Sequence, residues 1–396
     1  MHMTITEKLE IGVAPRRIED VYADLLQDKQ RVIVDVRNRD DFARWRVDGR
    51  SSLQIVNIPY FDFIEEEDES VAQVPAADEV LVVCAKEGSS QYVAEILQER
   101  GINATYLAEG ILSWGGLYDT RTVVDAPFGK VIQVARPARG DLSFVVISEG
   151  QAAIVDPLRH IDNYLQVVHD ERATLTHIFD THAHADHISG GPALAAETGA
   201  AYFLHPYDAI HPLDMLPATL PYNYLADGQT FQVGQFTVKV IWFPGHTLGQ
   251  VNYLFTAPTG QTYLFTGDGI FLRSFGRPDL GGRGEAWTPI LYASLYERLP
   301  QHVNDDTLIL PAHFSTLDES AEDGIFAASY GQVKEQNEAL KPRTLAEFTE
   351  YVLGNLPTFP KEYVEIKRVN AGLIQPDEEL ASELELGKNI CALADA

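Results

Sequence analysis

The sequence predicts an α/β protein of two domains, a small parallel α/β domain followed by a larger one in which groups of strands alternate with helices. Three observations carry this expectation. At 396 residues the chain exceeds a typical single domain, and each part is long enough to bury a core. Between residues 31 and 114, short apolar runs alternate with helix-periodic stretches, the pattern of a parallel sheet with crossover helices. Beyond residue 128, strand runs come in groups broken by glycine, with helical segments between them.

In the first part, residues 31–37 form a buried-strand run, and residues 80–83 form another that delivers Cys84. The loop Cys84-Ala85-Lys86-Glu87-Gly88-Ser89-Ser90 then opens a helix with Val93, Ile96 and Leu97 at helical spacing and Gly101 as its stop. Residues 104–107 read as the next strand, before Glu109-Gly110-Ile111 and Trp114. A cysteine at a strand end, on a tight loop before a helix, faces backbone N–H groups. Those donors and the helix dipole stabilise a thiolate or a bound anion. A plain core cysteine is the alternative, and the Gly/Ser loop argues against it. The acidic run at 65–69 reads as a solvated loop, and 115–128, without strong periodicity, reads as the linker.

The second part opens with a hairpin signal, 142–147 and 152–156 around a Ser148-Glu149-Gly150 turn, then a helix near 163–168. The apolar run 175–179 leads into Thr181-His182-Ala183-His184-Ala185-Asp186-His187, followed by Gly190-Gly191-Pro192 and a short helix at 193–197. Residues 231–265 read as several strands punctuated by Gly234, Gly245 and Gly260. Helices are expected around 325–340 and 345–353, then a stiff extended stretch at 357–363 and an acidic tail from Gln375, in which Cys391 has no readable role.

The densest chemistry lies at 181–187. On an extended backbone, positions two apart face the same way, so His182 and His184 can address one metal ion. Asp186 and His187 lie past the bend and can address a second. Scattered surface histidines would not cluster so tightly after a strand, where α/β sheets place ligand sites. Three further strand ends supply partners: His246 after Trp242-Phe243-Pro244-Gly245, Asp268 after Phe265-Thr266-Gly267, and His313 after Leu310-Pro311-Ala312. All are expected at the same sheet edge.

This ordered set resembles the metallo-β-lactamase superfamily, whose motifs run HxHxDH, then His, Asp and His. The resemblance spans roughly residues 128–313 and implies an αββα sandwich. Residues 31–114 resemble a rhodanese, whose loop cysteine carries a persulfide, and Cys84 matches that nucleophile. The loop holds Lys86 and Glu87 where many rhodaneses carry arginine. The organisation expected is a rhodanese-like domain over 1–120, a metallo-β-lactamase-like domain over 121–343, and an extension over 344–396 packed on it.

The ligand set fits two chemistries. All seven residues, with Asp268 bridging, suit two zinc ions that activate water, as in glyoxalase II, which this half also resembles. His182, His246 and Asp268 alone form the two-histidine, one-carboxylate triad of non-haem Fe(II) oxygenases. Then His184, Asp186, His187 and His313 serve a second site or support the first. Two features favour iron. Gly276-Arg277-Pro278-Asp279 resembles the GR-x-D loop of persulfide dioxygenases, which implies that Arg277 pairs with a substrate carboxylate. The rhodanese-like part also carries sulfane sulfur of the kind such an enzyme oxidises. In many of these dioxygenases the last histidine precedes Asp-Tyr; here His313 precedes Phe314-Ser315. The expectation is oxidation of glutathione persulfide, or a similar small persulfide, to sulfite with O₂, in sulfide detoxification.

Composition bounds the partners. A net charge of −28 argues against nucleic acid and anionic membrane. No run of 18 apolar residues is present, and the first residues lack signal-peptide character, so a cytoplasmic protein is expected. Two cysteines without a CxxC pair fit free thiols in a reducing compartment. A homo-oligomer is compatible with all of this.

Overall fold

The computed structural model describes residues 12–393. Its chain contacts separate two compact units at Leu117/Tyr118.

Among the described residues, the first unit holds a five-stranded sheet of β1 (Pro15–Arg16), β2 (Val32–Asp35), β3 (Gln54–Asn57), β4 (Val80–Val83) and β5 (Ala104–Leu107). Its spatial order is β1-β5-β4-β2-β3, and every pairing is parallel. Strands β2 and β4 are buried along their whole length. That is why they read as unbroken apolar runs rather than alternating ones: helices cover both faces. The helix Gly88–Glu99 follows β4 and buries Val93, Ala94, Ile96 and Leu97. The acidic run is not a loop. It straddles two short helices, Tyr60–Glu65 and Glu67–Ala72. Glu67, Asp68 and Glu69 fill the first turn of the second, where the helix dipole favours carboxylates.

The supposed linker is also structured. Ile111–Gly116 is helical and buries Trp114. Residues Asp119–Ala126 form β6, the edge strand of the second unit, antiparallel to β7 (Gly129–Arg136). An edge strand with one wet face carries Asp, Thr and Arg in place of an apolar run, so its signal is weak.

The second unit is an αββα sandwich. One mixed sheet continues with β8 (Asp141–Ser148), β9 (Gln151–Val155), β10 (Thr174–Phe179), β11 (Ala201–Leu204) and β12 (Asn223–Tyr224), in the order β12-β11-β10-β9-β8-β7-β6. The other sheet runs in chain order: β13 (Thr230–Val233), β14 (Phe236–Trp242), β15 (Val251–Thr256), β16 (Thr262–Gly267), β17 (Leu308–Pro311) and β18 (Ala328–Ser329). Aromatic side chains fill the space between the sheets. Phe144 meets Phe265 at 5.3 Å between ring centres, and Phe179 meets Tyr253 at 4.7 Å. Tyr164, Val168 and Leu194, from helices Asp162–Asp170 and Gly191–Thr198, join the core of the first sheet's outer face. The helix expected near 325–340 is shorter, Tyr330–Gln336, because β18 takes the preceding residues; a Ser329/Gln332 capping box starts it. The extended stretch ends early, since Tyr363 already lies in helix Glu362–Asn370. Among the described residues, no helix is long and apolar enough to cross a membrane.

Candidate metal centre

The ligands come from both sheets, not from one edge as the sequence alone implied. His182, His184, Asp186 and His187 follow β10 of the seven-stranded sheet. His246, Asp268 and His313 follow β14, β16 and β17 of the six-stranded one. All seven are buried. The turn before His246 needs Gly245, which sits at φ +150°; a Cβ there would lie 2.5 Å from Leu291 Cβ.

One ligand atom each from His182, His246 and Asp268 lies within 4.8 Å of the other two. His246 Nε2 is 3.1 Å from Asp268 Oδ2, and His182 Nε2 is 3.8 Å from it. Both Nε2 atoms and both Asp268 oxygens lack hydrogen-bond partners although buried. Such groups are costly in a protein interior unless something satisfies them. A divalent cation would do so, and the donor set of two imidazoles and a carboxylate fits one. The opposite ring nitrogens are engaged: His182 Nδ1 with Thr181 Oγ1 at 3.0 Å, and His246 Nδ1 with the Arg277 carbonyl at 2.8 Å. These contacts fix the rings so that Nε2 faces the centre. Burial pushes both imidazoles down, His182 well below its usual range, so both are neutral as metal ligands must be.

A second group, His184, Asp186 and His187, adjoins the first. Asp156 accepts from Thr181 N at 2.7 Å and engages His184 Nε2 at 3.1 Å, leaving His184 Nδ1 without a partner. Burial alone would lower His184, but Asp156 outweighs it and holds it up at about 9. His313 Nε2 lies 3.1 Å from Asp268 Oδ1 and 3.5 Å from Asp186 Oδ2, while its Nδ1 lies 3.2 Å from Asp141. Burial opposes the charged form of His313, yet Asp268 and Asp186 raise it well above the ordinary value.

Sequence reasoning missed what holds this centre in place. Lys367 Nζ donates to the Ala183 carbonyl at 2.7 Å. Asn370 Nδ2 donates to the carbonyls of His184 and His187, and Asn370 Oδ1 accepts from Ser189 N. Glu385 accepts from Ile188 N at 2.8 Å and pairs with Arg136 and Arg159. Arg139 donates to the Asp186 carbonyl and to those of Leu386 and Gly387. The C-terminal segment thus satisfies the backbone of the metal loop. A run of polar side chains far along the chain gives no local signal of this.

Arg277 is a correction. Its five guanidinium donors are committed: a fork onto Asp279 at 2.7 and 2.8 Å, and the carbonyls of Pro357, Thr358 and Ile390. It is fully buried and binds the C-terminal segment rather than a substrate carboxylate. Its role at the centre is through its carbonyl, on His246. A separate cavity of about 400 Å³ adjoins the metal loop, lined by Ala183, Tyr207, Thr247, Trp287, Lys367 and the exposed Arg283.

In the first unit, Cys84 is buried just past β4, with Sγ 3.1 Å from Ser90 Oγ. Ser90 Oγ donates to the Glu87 carbonyl at 2.7 Å, and Ile111 N donates to the Cys84 carbonyl at 2.8 Å.

The Metallo-beta-lactamase superfamily model matches residues 137–314, and the Rhodanese-like domain model matches 19–117. A hydroxyacylglutathione hydrolase of Acidiphilium cryptum is 30% identical over 62% of this chain and 91% of its own. The crystal structure of ETHE1 from Myxococcus xanthus is 26% identical at a TM-score of 0.50, over 64% of this chain and 99% of that one. A Staphylococcus aureus metallo-β-lactamase structure shares the fold at a TM-score of 0.55 and 24% identity, over 66% and 75%. The chain belongs to the metallo-β-lactamase superfamily and carries an N-terminal rhodanese-like domain. That superfamily comprises metal-dependent enzymes of the hydrolase and oxidase type.

Proposed function

We propose that the protein is a persulfide dioxygenase with Fe(II) held by His182, His246 and Asp268, joined to sulfur transfer through Cys84. The carrying observation is the partnerless two-histidine, one-carboxylate cluster in a chain that also bears a rhodanese-like domain. His182, His246 and Asp268 would hold the ion, and ferrous iron bound there would supply the oxygen activation. The chain's own residues do the rest. Thr181 and the Arg277 carbonyl keep the two imidazoles aimed inward. Burial excludes bulk water from the ligands. The cavity beside Ala183 and Thr247 receives the organic part of the persulfide, with Arg283 at hand for a carboxylate such as glutathione carries. The net reaction balances: persulfide, O₂ and water give thiol and sulfite, with the electrons lost by the sulfane sulfur taken by oxygen. Cys84 passes sulfane sulfur to or from the small thiol.

A second reading is a dinuclear zinc thioester hydrolase. Two observations favour it: the further ligands His184, Asp186, His187 and His313 are all in place, and the matched relatives include hydroxyacylglutathione hydrolases. Oxygen consumption decides between the readings. Iron-loaded protein given glutathione persulfide is expected to consume O₂ and release sulfite in equal amounts. Cleavage of S-lactoylglutathione under nitrogen by zinc-loaded protein, with no O₂ uptake on any small persulfide, overturns the dioxygenase reading.

A further inference from the structure

We propose that the cavity beside the metal loop selects a thiol derivative with an apolar body and one terminal carboxylate, in preference to a peptide thiol. The inference rests on the proposed function only in taking this cavity as the seat of the substrate's organic part.

The polar groups of the cavity wall are engaged by the protein itself. Asp208 accepts from Ala183 N at 2.8 Å, Thr247 Oγ1 at 2.7 Å and Gly249 N at 2.9 Å. His211 Nδ1 accepts from Asp214 N, and its Nε2 donates to the Val364 carbonyl. The carbonyls of Ala183, Leu248 and Ala371 are taken by Lys367 Nζ, Trp242 Nε1 and Thr219 N. Two cations keep hydrogens to spare. Lys367 is buried and gives one hydrogen bond, to Ala183. Arg283 is exposed, and among the described residues its guanidinium has no partner. The amides of a peptide ligand would lose water here without finding replacements, which is costly. A hydrocarbon body gains by the same burial.

The rest of the wall is apolar out to the solvent. Ile210, Met215, Leu248, Leu280 and Trp287 line it, and Met215 is 70% exposed. Single exposed hydrophobic residues are ordinary, but a group of them around a cavity marks a ligand site. Met215 is held in place rather than left loose. It sits at φ +56°, a conformation that non-glycine residues adopt only under constraint, with its N–H on the His211 carbonyl at 2.8 Å. The neighbouring Asp214 takes a fork from Arg368 at 2.7 and 2.9 Å. Opposite charges at the ligand's ends complete the fit. Lys367 touches Ala183, between His182 and His184, and so marks the metal end, where the sulfur belongs. Arg283, at the exposed side, receives the carboxylate.

Calorimetric titration of the iron-loaded chain under nitrogen tests this with thioethers, which cannot turn over. 6-(Methylthio)hexanoate is expected to bind at least about tenfold more tightly than S-methylglutathione, with a negative heat-capacity change. Arg283→Ala is expected to weaken the hexanoate about tenfold and to leave the uncharged butyl methyl sulfide unchanged. Trp287→Ala is expected to weaken both apolar ligands; should it fail to fold, the Arg283 variant, altered at an exposed side chain, decides alone. S-methylglutathione binding as tightly as the hexanoate, no binding of the hexanoate, or hexanoate binding indifferent to Arg283→Ala overturns the proposal. The titration reads neither O₂ nor sulfite, so a failed dioxygenase assay leaves the measured preference intact. Conversely, O₂ uptake on glutathione persulfide with no preference among the thioethers sinks this inference and spares the proposed reaction.

Discussion

The Cys84 loop and the metal centre both sit at the carboxyl ends of strands, yet they are built in opposite ways. The cysteine loop is local. Its contacts run from Cys84 to Ile111, and Gly110 at φ +61° brings the chain so close that a Cβ would meet the Cys84 and Lys86 carbonyls at 2.5 Å. The metal centre is assembled from residues 182 to 313 and braced by partners from Arg136 to Cys391. A local loop is specified by its own sequence and depends little on remote residues. A site of distant strand ends depends on every element that holds its loops in register.

The strongest way to break the comparison is to disable each site and read both activities. Asp268→Ala removes the carboxylate of the triad. Oxygen consumption is expected to fall far beyond the roughly 10–100-fold that loss of a hydrogen-bond partner behind a ligand costs. Sulfur transfer from thiosulfate or a persulfide donor through Cys84 is expected to stay. Cys84→Ser is expected to abolish that transfer and leave bound iron and oxygen consumption in place. Loss of both activities in either variant would show that the two sites are not separately built.

The next effect lies in the bracing. Burial opposes ionisation of Glu385, but Arg136 and Arg159 hold its carboxyl down at about 2, from an ordinary 4.5. A carboxyl depressed in the folded state adds stability that is fully present above its unfolded value. That stability is lost as pH falls through the folded one. The shift corresponds to about 3 kcal/mol, and Glu385→Gln also removes the carboxylate that pairs with Arg136 and Arg159. Urea unfolding near neutral pH is expected to show a loss of that order. The gap should narrow as pH drops from about 4.5 toward about 2. A difference independent of pH across that window would mean that the Glu385 charge does not hold the segment.

The same contrast explains what could be read in advance. The buried strands β2 and β4, the Cys84 loop and the HxHxDH cluster announce themselves, because strand period and ligand spacing are local properties. The αββα order came with the family resemblance that those ordered ligands carry. The edge strand β6 was not, since alternating polar residues on a wet face resemble a linker. Asn370, Lys367 and Glu385 look like ordinary helix or tail residues until the fold brings them to the metal loop. Arg277 shows the other failure. Its motif pointed to a substrate, but side-chain commitment is a tertiary fact, and Asp279 with three carbonyls had already taken all its donors.

The smallest expected effect tests the local end of the comparison. Ser90 is fully buried, and its hydroxyl donates to the Glu87 carbonyl while lying 3.1 Å from Cys84 Sγ. Ser90→Ala deletes two hydrogen bonds, the one to the Glu87 carbonyl that helps fold the loop onto the start of its helix and the weak one with the Cys84 thiol. The cost is mainly that of the first, about 1 kcal/mol of stability. Backbone ties from Ile111 to the Cys84 carbonyl and the tight approach of Gly110 remain. Sulfur transfer is therefore expected to change by less than about tenfold, the factor that 1.4 kcal/mol represents. Stopped-flow transfer rates, read beside the urea midpoint of the variant, check both numbers. A collapse of transfer to the level of Cys84→Ser, with stability barely altered, would show that the loop relies on Ser90 for chemistry rather than for shape.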